Sequence, residues 1–421
     1  MPSNSMDKFV LPNGLTVLHA RAAASRAFCI GIWSRTGSRD EQTGQEGLCH
    51  FLEHMLFKGT ARRTALDISK EIEKTGGSLD AFTTKENMCL YAHVLNDHRR
   101  VAFDLLSDML NNSAFEEDQV ELERQVVLEE INDVMDTPDD LVHDLFASVV
   151  FPTHPLGRPV LGYPASVASF TRRDLVTFAR RVFKASNIVI SVYGDVSPRE
   201  LREVCLRLFD FPAGTVRLSR PRLSRFEPAR KIVHRRLHHQ YVCIGNRTFS
   251  YLEDRRFALM VLTTLVGGSM SSRLFQRVRE EMGLTYSIYT YADHSRDTGL
   301  MATYMAVRPK NTRAAIGAVL EEYEKIRRGE LGLSELEDTK EQLKGRILLG
   351  LETSTAKMMR MARNEMYFGR QITEKELIKS IDAVTLDDIL ELASRALDLD
   401  DLSVVSLGPS SAGLSRFPGR R

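Results

Sequence analysis

The sequence repeats itself at one constant offset of 214 positions, and this repeat limits the possible folds more than any other feature. Four pairs of segments match at that offset, in the same order and with the same predicted secondary structure. The pairs are Cys29-Ile30-Gly31 with Cys243-Ile244-Gly245, Asp40 with Asp254, Thr171-x-x-Asp174-Leu175 with Thr385-x-x-Asp388-Ile389, and Ile188–Gly194 with Leu402–Gly408. A half of about 200 residues has the size of a domain, so the repeat predicts two homologous halves.

Each half alternates strands with long amphipathic helices and ends in a helix followed by an apolar strand. The sequence therefore predicts an α+β fold with two homologous domains, at residues 1–212 and 233–408. An arginine-rich linker is expected at residues 213–232, and a disordered Ser-, Gly- and Pro-rich tail at residues 409–421. The seven arginines from Arg217 to Arg236 could dock an anionic partner or simply face solvent, and we favour the solvated linker.

The charge balance and the cysteines indicate which binding partners and which cellular compartment are expected. The 57 basic and 56 acidic residues leave a formal charge of +1, which gives no global attraction to nucleic acid or membranes. The five cysteines are widely spread and form no CxxC pair, which indicates reduced thiols. No secretory signal and no long apolar run is visible. We expect a cytoplasmic protein without a nucleic-acid or membrane partner.

A buried helix is predicted between Thr43 and Gly59. Thr43 and Glu46 form a capping-box pattern, and Gly59 can end the helix. Apolar residues such as Phe51 and Met55 surround the helix nearly completely, so polar side chains on it would be costly without a metal or partners.

Two histidines and a glutamate on this helix have the spacing of a zinc site. His50 and His54 are four residues apart, so their imidazoles face the same side and can hold one Zn²⁺ ion. Glu53 reaches that face without being needed as a ligand, and it can act as the general base towards a metal-activated water. The alternative, a histidine pair that merely decorates a helix, is disfavoured by the expected burial.

A second predicted helix supplies two candidate carboxylates. Glu123 and Glu130 are two turns apart and share a face with Val127 and Ile131, whereas Glu129 points elsewhere. We expect Glu130 to be the third metal ligand, and Glu123 to take part in catalysis as a carboxylate that orients the site.

These residues resemble a known family. The pattern His50-x-x-Glu53-His54, followed by Glu130 in a Glu-Arg-x-Val-Val-Leu-x-Glu context, is similar to the pitrilysin-type (inverzincin) zinc metallopeptidases. Mitochondrial processing peptidase and its bacterial relatives are the most similar branch, and the resemblance covers nearly the whole chain. It implies that each domain is a mixed, mainly antiparallel sheet packed with helices, and that two chains dimerise into a chamber.

The resemblance also implies an activity. The chain would be a zinc-dependent endopeptidase with one Zn²⁺ per chain, acting on unfolded peptides or N-terminal presequence-like segments. It would work as a homodimer or as a heterodimer with an inactive homologue. The alternative is a non-catalytic peptide-binding or scaffold subunit, but such subunits typically break the H-x-x-E-H set, which this chain keeps. A purely structural zinc is disfavoured because structural sites usually have four protein ligands.

Substrate contacts follow from the same resemblance. An edge strand would pair with the extended peptide backbone through Gly77, Ser78, Leu79, Asp80, Ala81 and Phe82. The family usually has Asn where this chain has Asp80. Asp140 and Asp144 match acidic positions that processing peptidases use to read an arginine just before the cut.

The second half lacks the catalytic set, because Thr264, Gly267 and Gly268 stand at the offset positions of His50, Glu53 and His54. By resemblance, the second half instead contributes Arg279, which holds the substrate backbone, and Tyr286, which stabilises the oxyanion.

Overall fold

The computed structural model describes residues 6–218 and 220–417, which form eleven strands and fourteen α-helices. The strands are β1 (Met6–Val10), β2 (Thr16–Arg21), β3 (Ala27–Ser34), β4 (Ser78–Thr83), β5 (Met88–Leu95), β6 (Ile188–Gly194), β7 (Arg230–His234), β8 (Gln240–Thr248), β9 (Thr285–His294), β10 (Gly299–Val307) and β11 (Ser403–Gly408). The helices are α1 (Leu48–Leu56), α2 (Ala65–Glu73), α3 (Arg99–Asn112), α4 (Glu117–Asp136), α5 (Pro138–Val150), α6 (Pro164–Ser169), α7 (Arg172–Val182), α8 (Pro198–Leu208), α9 (Arg256–Gly267), α10 (Thr312–Arg327), α11 (Leu333–Gly350), α12 (Ser354–Phe368), α13 (Glu374–Asp382) and α14 (Leu386–Ala396).

The two sheets have the same topology. The first has the order β1-β2-β6-β3-β5-β4, and the second has the order β7-β11-β8-β10-β9. In each sheet one neighbouring pair is parallel, β2 with β6 and β7 with β11, and the other pairs are antiparallel. Without β1, the two orders correspond strand for strand, and Cys29 on β3 corresponds to Cys243 on β8. The predicted α+β class, the duplication and the mixed sheets are confirmed.

The chain divides into two compact units that exchange one helix. Unit 1 comprises the described residues of Met1–Asn132, Arg158–Pro221 and Gly350–Gln371, and unit 2 comprises those of Asp133–Gly157, Arg222–Leu349 and Ile372–Arg421. In unit 1, α12 packs Met358, Met361 and Met366 against one face of the first sheet. In unit 2, α5 packs Val142 and Phe146 against one face of the second sheet. Each half of the sequence thus contributes one helix to the other unit.

The C-terminal segment differs from its expectation. We expected disorder from Pro409 onwards, but Leu414 and Phe417 are 1% and 4% exposed and belong to the core of unit 2. Arg230 also donates a hydrogen bond to the carbonyl oxygen of Leu414 at 2.9 Å. Two apolar anchors therefore order a segment whose composition suggests disorder, and residues 418–421 lie outside the described residues.

Arginines in and beside the predicted linker bind within their own unit. The Nε atom of Arg220 lies 3.1 Å from Oδ1 of Asp40 in unit 1, and Asp40 is buried. In unit 2, Arg235 donates to the carbonyl oxygen of Met135 at 2.5 Å. These guanidinium groups have structural partners, so the arginine-rich segment is not a continuous strip of unpaired charge.

Two further predictions concern the cysteines and possible membrane spans. All five cysteines are buried and free. Within the described residues, no helix combines the length and the apolar character that crossing a membrane requires.

Candidate metal centre

The helix that carries the two histidines starts later than its sequence pattern predicts. We expected a start at Thr43, but α1 begins at Leu48, because Gly47 has a φ of 95° and interrupts the helical path. The side-chain carboxyl group of Glu41 caps this end, and its two oxygens accept hydrogen bonds from the backbone N–H groups of Gly47 at 3.0 Å and Cys49 at 2.7 Å. The cap is thus supplied by a residue outside the predicted capping box.

Two glycines let the start of α1 touch another loop directly. A Cβ atom on Gly47 would lie 2.4 Å from the carbonyl oxygen of Leu161, and one on Gly162 would lie 2.1 Å from the carbonyl oxygen of Glu46. No side chain fits at such distances, so both positions require glycine. This backbone contact fixes the first turn of α1, where His50 is the third residue.

His50, His54 and Glu130 come together at one point. Nε2 of His50 lies 3.2 Å from Nε2 of His54, and Oε2 of Glu130 lies 3.5 Å and 3.4 Å from these two nitrogens. Ligands of a tetrahedral Zn²⁺ at 2.0–2.2 Å are themselves separated by about 3.3–3.5 Å. In the described part of the chain, this is the one His, Cys, Asp and Glu group with atoms close enough to share a metal ion.

The environment of these atoms also fits a cation. Oε2 of Glu130 is buried and has no well-oriented hydrogen-bond donor among the described residues. Burial lowers the pKa of His50, and the neighbouring His54 lowers it further, so the imidazole of His50 is neutral at pH 7. Neutral imidazole is the form that binds a metal. The donor set therefore suits Zn²⁺.

Glu123 contacts the ring nitrogen of His54 that does not face Glu130, and Lys58 contacts Glu123. Oε1 of Glu123 lies 2.8 Å from Nδ1 of His54, and Oε2 lies 2.5 Å from Nζ of Lys58. Burial raises the pKa of Glu123, but the hydrogen bonds from His54 and Lys58 outweigh burial and hold it below its usual range. A carboxylate on Nδ1 leaves Nε2 of His54 free to face the metal. Lys58 was missed from the sequence, although it lies only four residues after His54, just beyond the end of α1.

Glu53 is held beside the metal-binding group and is not part of it. The hydroxyl of Thr83, at the end of β4, donates a hydrogen bond to Oε2 of Glu53 at 2.5 Å. Burial raises the pKa of Glu53 above its usual range. Sequence reasoning also missed Thr83, because the sheet brings it to α1 from 30 positions away.

The predicted substrate strand is an edge strand. β4 is the last strand of the first sheet and pairs only with β5 within the described residues. Its residues Ser78–Phe82 are five of the six positions expected to pair with the peptide backbone, and Gly77 immediately precedes them. Its final residue, Thr83, is the one that contacts Glu53, so this edge runs directly to the candidate centre.

Unit 2 has no second centre at the repeated positions. Thr264 is buried and donates its hydroxyl to the carbonyl oxygen of Met260 at 2.8 Å. A Cβ atom on Gly267 would lie 2.3 Å from Oγ1 of Thr290, so close packing explains that glycine. With Gly268 beside it, this end of α9 offers no imidazole or carboxylate.

Arg279 and Tyr286 are neighbours within unit 2. The guanidinium of Arg279 lies 4.5 Å from the ring centroids of both Phe275 and Tyr286. Arg279 belongs to a segment of π-helix, Phe275–Glu281, a feature that often accompanies functional sites. The side chain of Tyr286 is 83% exposed.

Asp140 and Asp144 lie one turn apart on α5, also in unit 2. His143 stands between them, and its Nδ1 and Nε2 atoms lie 2.8 Å and 2.9 Å from the hydroxyl oxygens of Tyr291 and Tyr289. These contacts attach the part of α5 that carries both aspartates to β9.

Two protein-family models match the chain. The model described as insulinase, peptidase family M16, matches residues 16–163, and the model of the M16 inactive domain matches residues 169–343. The first match contains the candidate metal centre, and the second contains Arg279 and Tyr286.

Curated relatives match over almost the full length. An uncharacterized zinc protease of Bacillus subtilis is 35% identical over 405 residues, which cover 96% of this chain and 98% of the relative. An uncharacterized zinc protease of Mycobacterium leprae is 38% identical over 395 residues, which cover 92% and 88% of the two chains.

Two solved structures share the fold. A protease from Helicobacter pylori superimposes with a TM-score of 0.90 at 21% identity, covering 96% of this chain and 100% of the other. A structure from Pseudomonas fluorescens, described as a peptidase M16 inactive domain, gives a TM-score of 0.90 at 18% identity, covering 97% and 98%.

Proposed function

The chain belongs to peptidase family M16, and on that premise we propose that it is a zinc-dependent endopeptidase. The observation that carries the proposal is the triangle of His50, His54 and Glu130, whose edges match those of a tetrahedral zinc site. The names of the curated relatives support the same metal and the same reaction class.

Each side chain of the site has its own task. His50, His54 and Glu130 would hold one Zn²⁺. When bound, zinc lowers the pKa of a coordinated water to about 7 and polarises the substrate carbonyl. Glu53, positioned by the hydroxyl of Thr83, accepts the proton of the attacking water and passes it to the leaving amine. Glu123 keeps His54 in the tautomer that leaves Nε2 free.

The substrate would be an extended peptide. The outer side of β4 offers backbone groups that an extended segment can pair with, and main-chain pairing gives grip without strong side-chain selectivity. We therefore propose unfolded peptides or N-terminal presequence-like segments as substrates. We further propose that the active species is a homodimer, or a heterodimer with an inactive homologue. The roles expected for Arg279, Tyr286, Asp140 and Asp144 are part of this proposal.

The first experiment is cleavage of an arginine-rich, presequence-like peptide. The zinc-loaded chain should cleave it, a chelator should abolish cleavage, and stoichiometric Zn²⁺ should restore it. As a matched control, the His50→Ala/His54→Ala double variant should show no zinc-restored cleavage. Stoichiometric zinc without any cleavage, including in the presence of an inactive homologue, would instead support the non-catalytic peptide-binding or scaffold alternative.

A further inference from the structure

The direction of the backbone groups on β4 follows from its hairpin. The N–H of Thr84 donates to the carbonyl oxygen of Asn87 at 2.7 Å, so this N–H points towards β5. Backbone groups alternate along a strand, and the register pairs Asp80 with Tyr91 and Phe82 with Cys89. The N–H and C=O groups of Leu79, Ala81 and Thr83 therefore point to the outer side of β4, where a docked peptide would find them.

One of these outward groups is already covered by a side chain. Oδ1 of Asp80 accepts a hydrogen bond from the N–H of Ala81 at 3.0 Å. Oδ2 of the same carboxylate lies 3.2 Å from the hydroxyl of Tyr91. Burial, together with the charge of Asp80, raises the pKa of Tyr91 to about 12, so the tyrosine remains a hydrogen-bond donor. Asp80 is exposed, and no ion pair joins it to a cation within the described residues.

A peptide that adds to this edge must displace the carboxylate. The carbonyl oxygen of the peptide takes the N–H of Ala81, and Asp80 then lies beside a strand whose carbonyl oxygens repel it. An ionised aspartate only accepts hydrogen bonds, whereas an asparagine could also donate one to the peptide. Tyr91 still donates to Oδ2, so only Oδ1 of the displaced carboxylate loses its donor, and a donor from the peptide can replace it.

The geometry of pairing decides which peptide residue can supply that donor. For a peptide that runs antiparallel to β4, Leu79 and Ala81 would form the hydrogen-bonded pairs, and Asp80 would face one peptide residue in a non-hydrogen-bonded pair. Side chains are closest in such pairs, with Cβ atoms about 4.5–5.5 Å apart. Oppositely charged partners stabilise this arrangement, and like charges destabilise it.

We propose that Asp80 gives this enzyme a preference for peptides that place an arginine or lysine directly opposite it on the edge of β4. This charge preference rests on the proposed peptidase function, because it assumes that the substrate peptide docks on the edge of β4. It would be a property of this chain's aspartate, since a neutral side chain at position 80 would accept a basic and an acidic partner almost equally.

Binding of uncleaved peptides tests the preference without relying on hydrolysis. The zinc-loaded Glu53→Gln chain is compared with the Glu53→Gln/Asp80→Asn chain. Each is titrated against fluorescein-labelled peptides of about 12 residues, long enough to span β4, that differ only in one central Arg, Gln or Glu and are otherwise uncharged. With Asp80, the Arg peptide should bind about threefold to tenfold more tightly than the Glu peptide. With Asp80→Asn, the ratio should fall severalfold, and any preference that remains would belong to other acidic residues such as Asp140 and Asp144. The control Asp97→Asn removes an exposed charge beyond the far end of β5 and should keep the ratio of the Asp80 chain.

Hydrolysis by the unmodified chain shows how the peptide is aligned along β4 relative to the bond that is cut. Mass spectrometry of the products should place Arg at one fixed distance from the cut bond, and Asp80→Asn should disperse the cuts. An Arg-to-Glu ratio that Asp80→Asn leaves unchanged, or no peptide binding at all, would overturn the inference. Zinc-dependent cleavage without any charge preference would overturn it and leave the proposed function standing. Charge-dependent binding without cleavage would uphold the inference and count against the peptidase.

Discussion

Nδ1 of His54 lies 2.8 Å from Oε1 of Glu123, and this contact joins the two helices, α1 and α4, that carry the candidate metal ligands. The second oxygen of Glu123 lies 2.5 Å from Nζ of Lys58, so the carboxylate is held from both sides. One buried carboxylate thereby fixes both the tautomer and the ring orientation of a ligand.

Replacing Glu123 with Gln should weaken zinc binding by about 10- to 100-fold, because the ring of His54 loses a charged acceptor and Lys58 loses its partner. Competition with a fluorescent zinc chelator measures the affinity. Glu129→Gln is the matched control, since Glu129 is exposed on the same helix and should leave the affinity unchanged. Equal affinities for the Glu123 and Glu129 variants would show that Glu123 does not support the site.

Replacing Glu53 with Gln should leave one zinc per chain and reduce kcat by a factor of about 10²–10⁴, the usual contribution of a general base. The amide oxygen still accepts the hydrogen bond of Thr83, so the local structure should persist. Zinc content by atomic absorption and steady-state kinetics measure the two effects. If the variant loses its zinc, Glu53 is a ligand and the assignment of Glu130 as the third ligand is wrong.

Replacing Tyr286 with Phe should lower kcat by about 100-fold and leave peptide affinity unchanged, if its hydroxyl stabilises the oxyanion. The phenyl ring keeps its contact with the guanidinium of Arg279, and the exposed position means that losing the hydroxyl should not disturb folding. Unchanged kcat would exclude the oxyanion role. A rise in KM alone would assign Tyr286 to peptide binding instead.

Replacing Gly47 with Ala should destabilise the protein by about 2–4 kcal/mol, because the methyl group adds an overlap with the carbonyl oxygen of Leu161 to the cost of a left-handed residue. Gly44→Ala is the control, since Gly44 also has a positive φ, 85°, but no atom lies within 4 Å of the position that its methyl group would occupy. The control should cost about 1 kcal/mol. Thermal and denaturant unfolding compare the two variants, and equal losses would contradict the close contact.

The cap residue Glu41 should make stability depend on pH. Burial raises its pKa to about 8, well above the value of about 4.5 expected in the unfolded chain. The folded state therefore favours the protonated form: this contribution is fully present below pH 4.5 and is lost as pH rises through 8. Between about pH 5 and pH 8.5, the melting temperature of the native chain should fall more than that of Glu41→Gln. Parallel pH profiles would contradict the raised pKa.

The grouping of the candidate metal ligands was predictable because their geometry is local. A separation of four residues places His50 and His54 on one helix face, and two helical turns place Glu123 and Glu130 on another. The structure brings all four together and gives Glu130 and Glu123 the different positions expected of a ligand and a supporting carboxylate.

The parts that could not be predicted depend on distant contacts. Thr83 reaches Glu53 only because the sheet places the end of β4 beside α1. Glu41, rather than Thr43, caps α1 because Gly47 turns the chain where it meets Leu161, and no local pattern reports that contact. The order of the segment after Pro409 was also not predictable. It depends on the burial of Leu414 and Phe417, whereas the polar composition of the segment indicates disorder.

The exchange of α5 and α12 sets an order of events during synthesis. Unit 1 needs residues up to Gln371, and unit 2 needs residues that begin at Asp133, so neither unit is complete when the ribosome reaches the linker. The face of the unit 1 sheet that carries Leu18 and Trp33 therefore stays exposed until Met358 and the rest of α12 have left the ribosome. A nascent chain arrested at the linker should therefore expose the apolar face of this sheet and bind chaperones. A chain released after Gln371 contains α12, which can pack against that face and bury it.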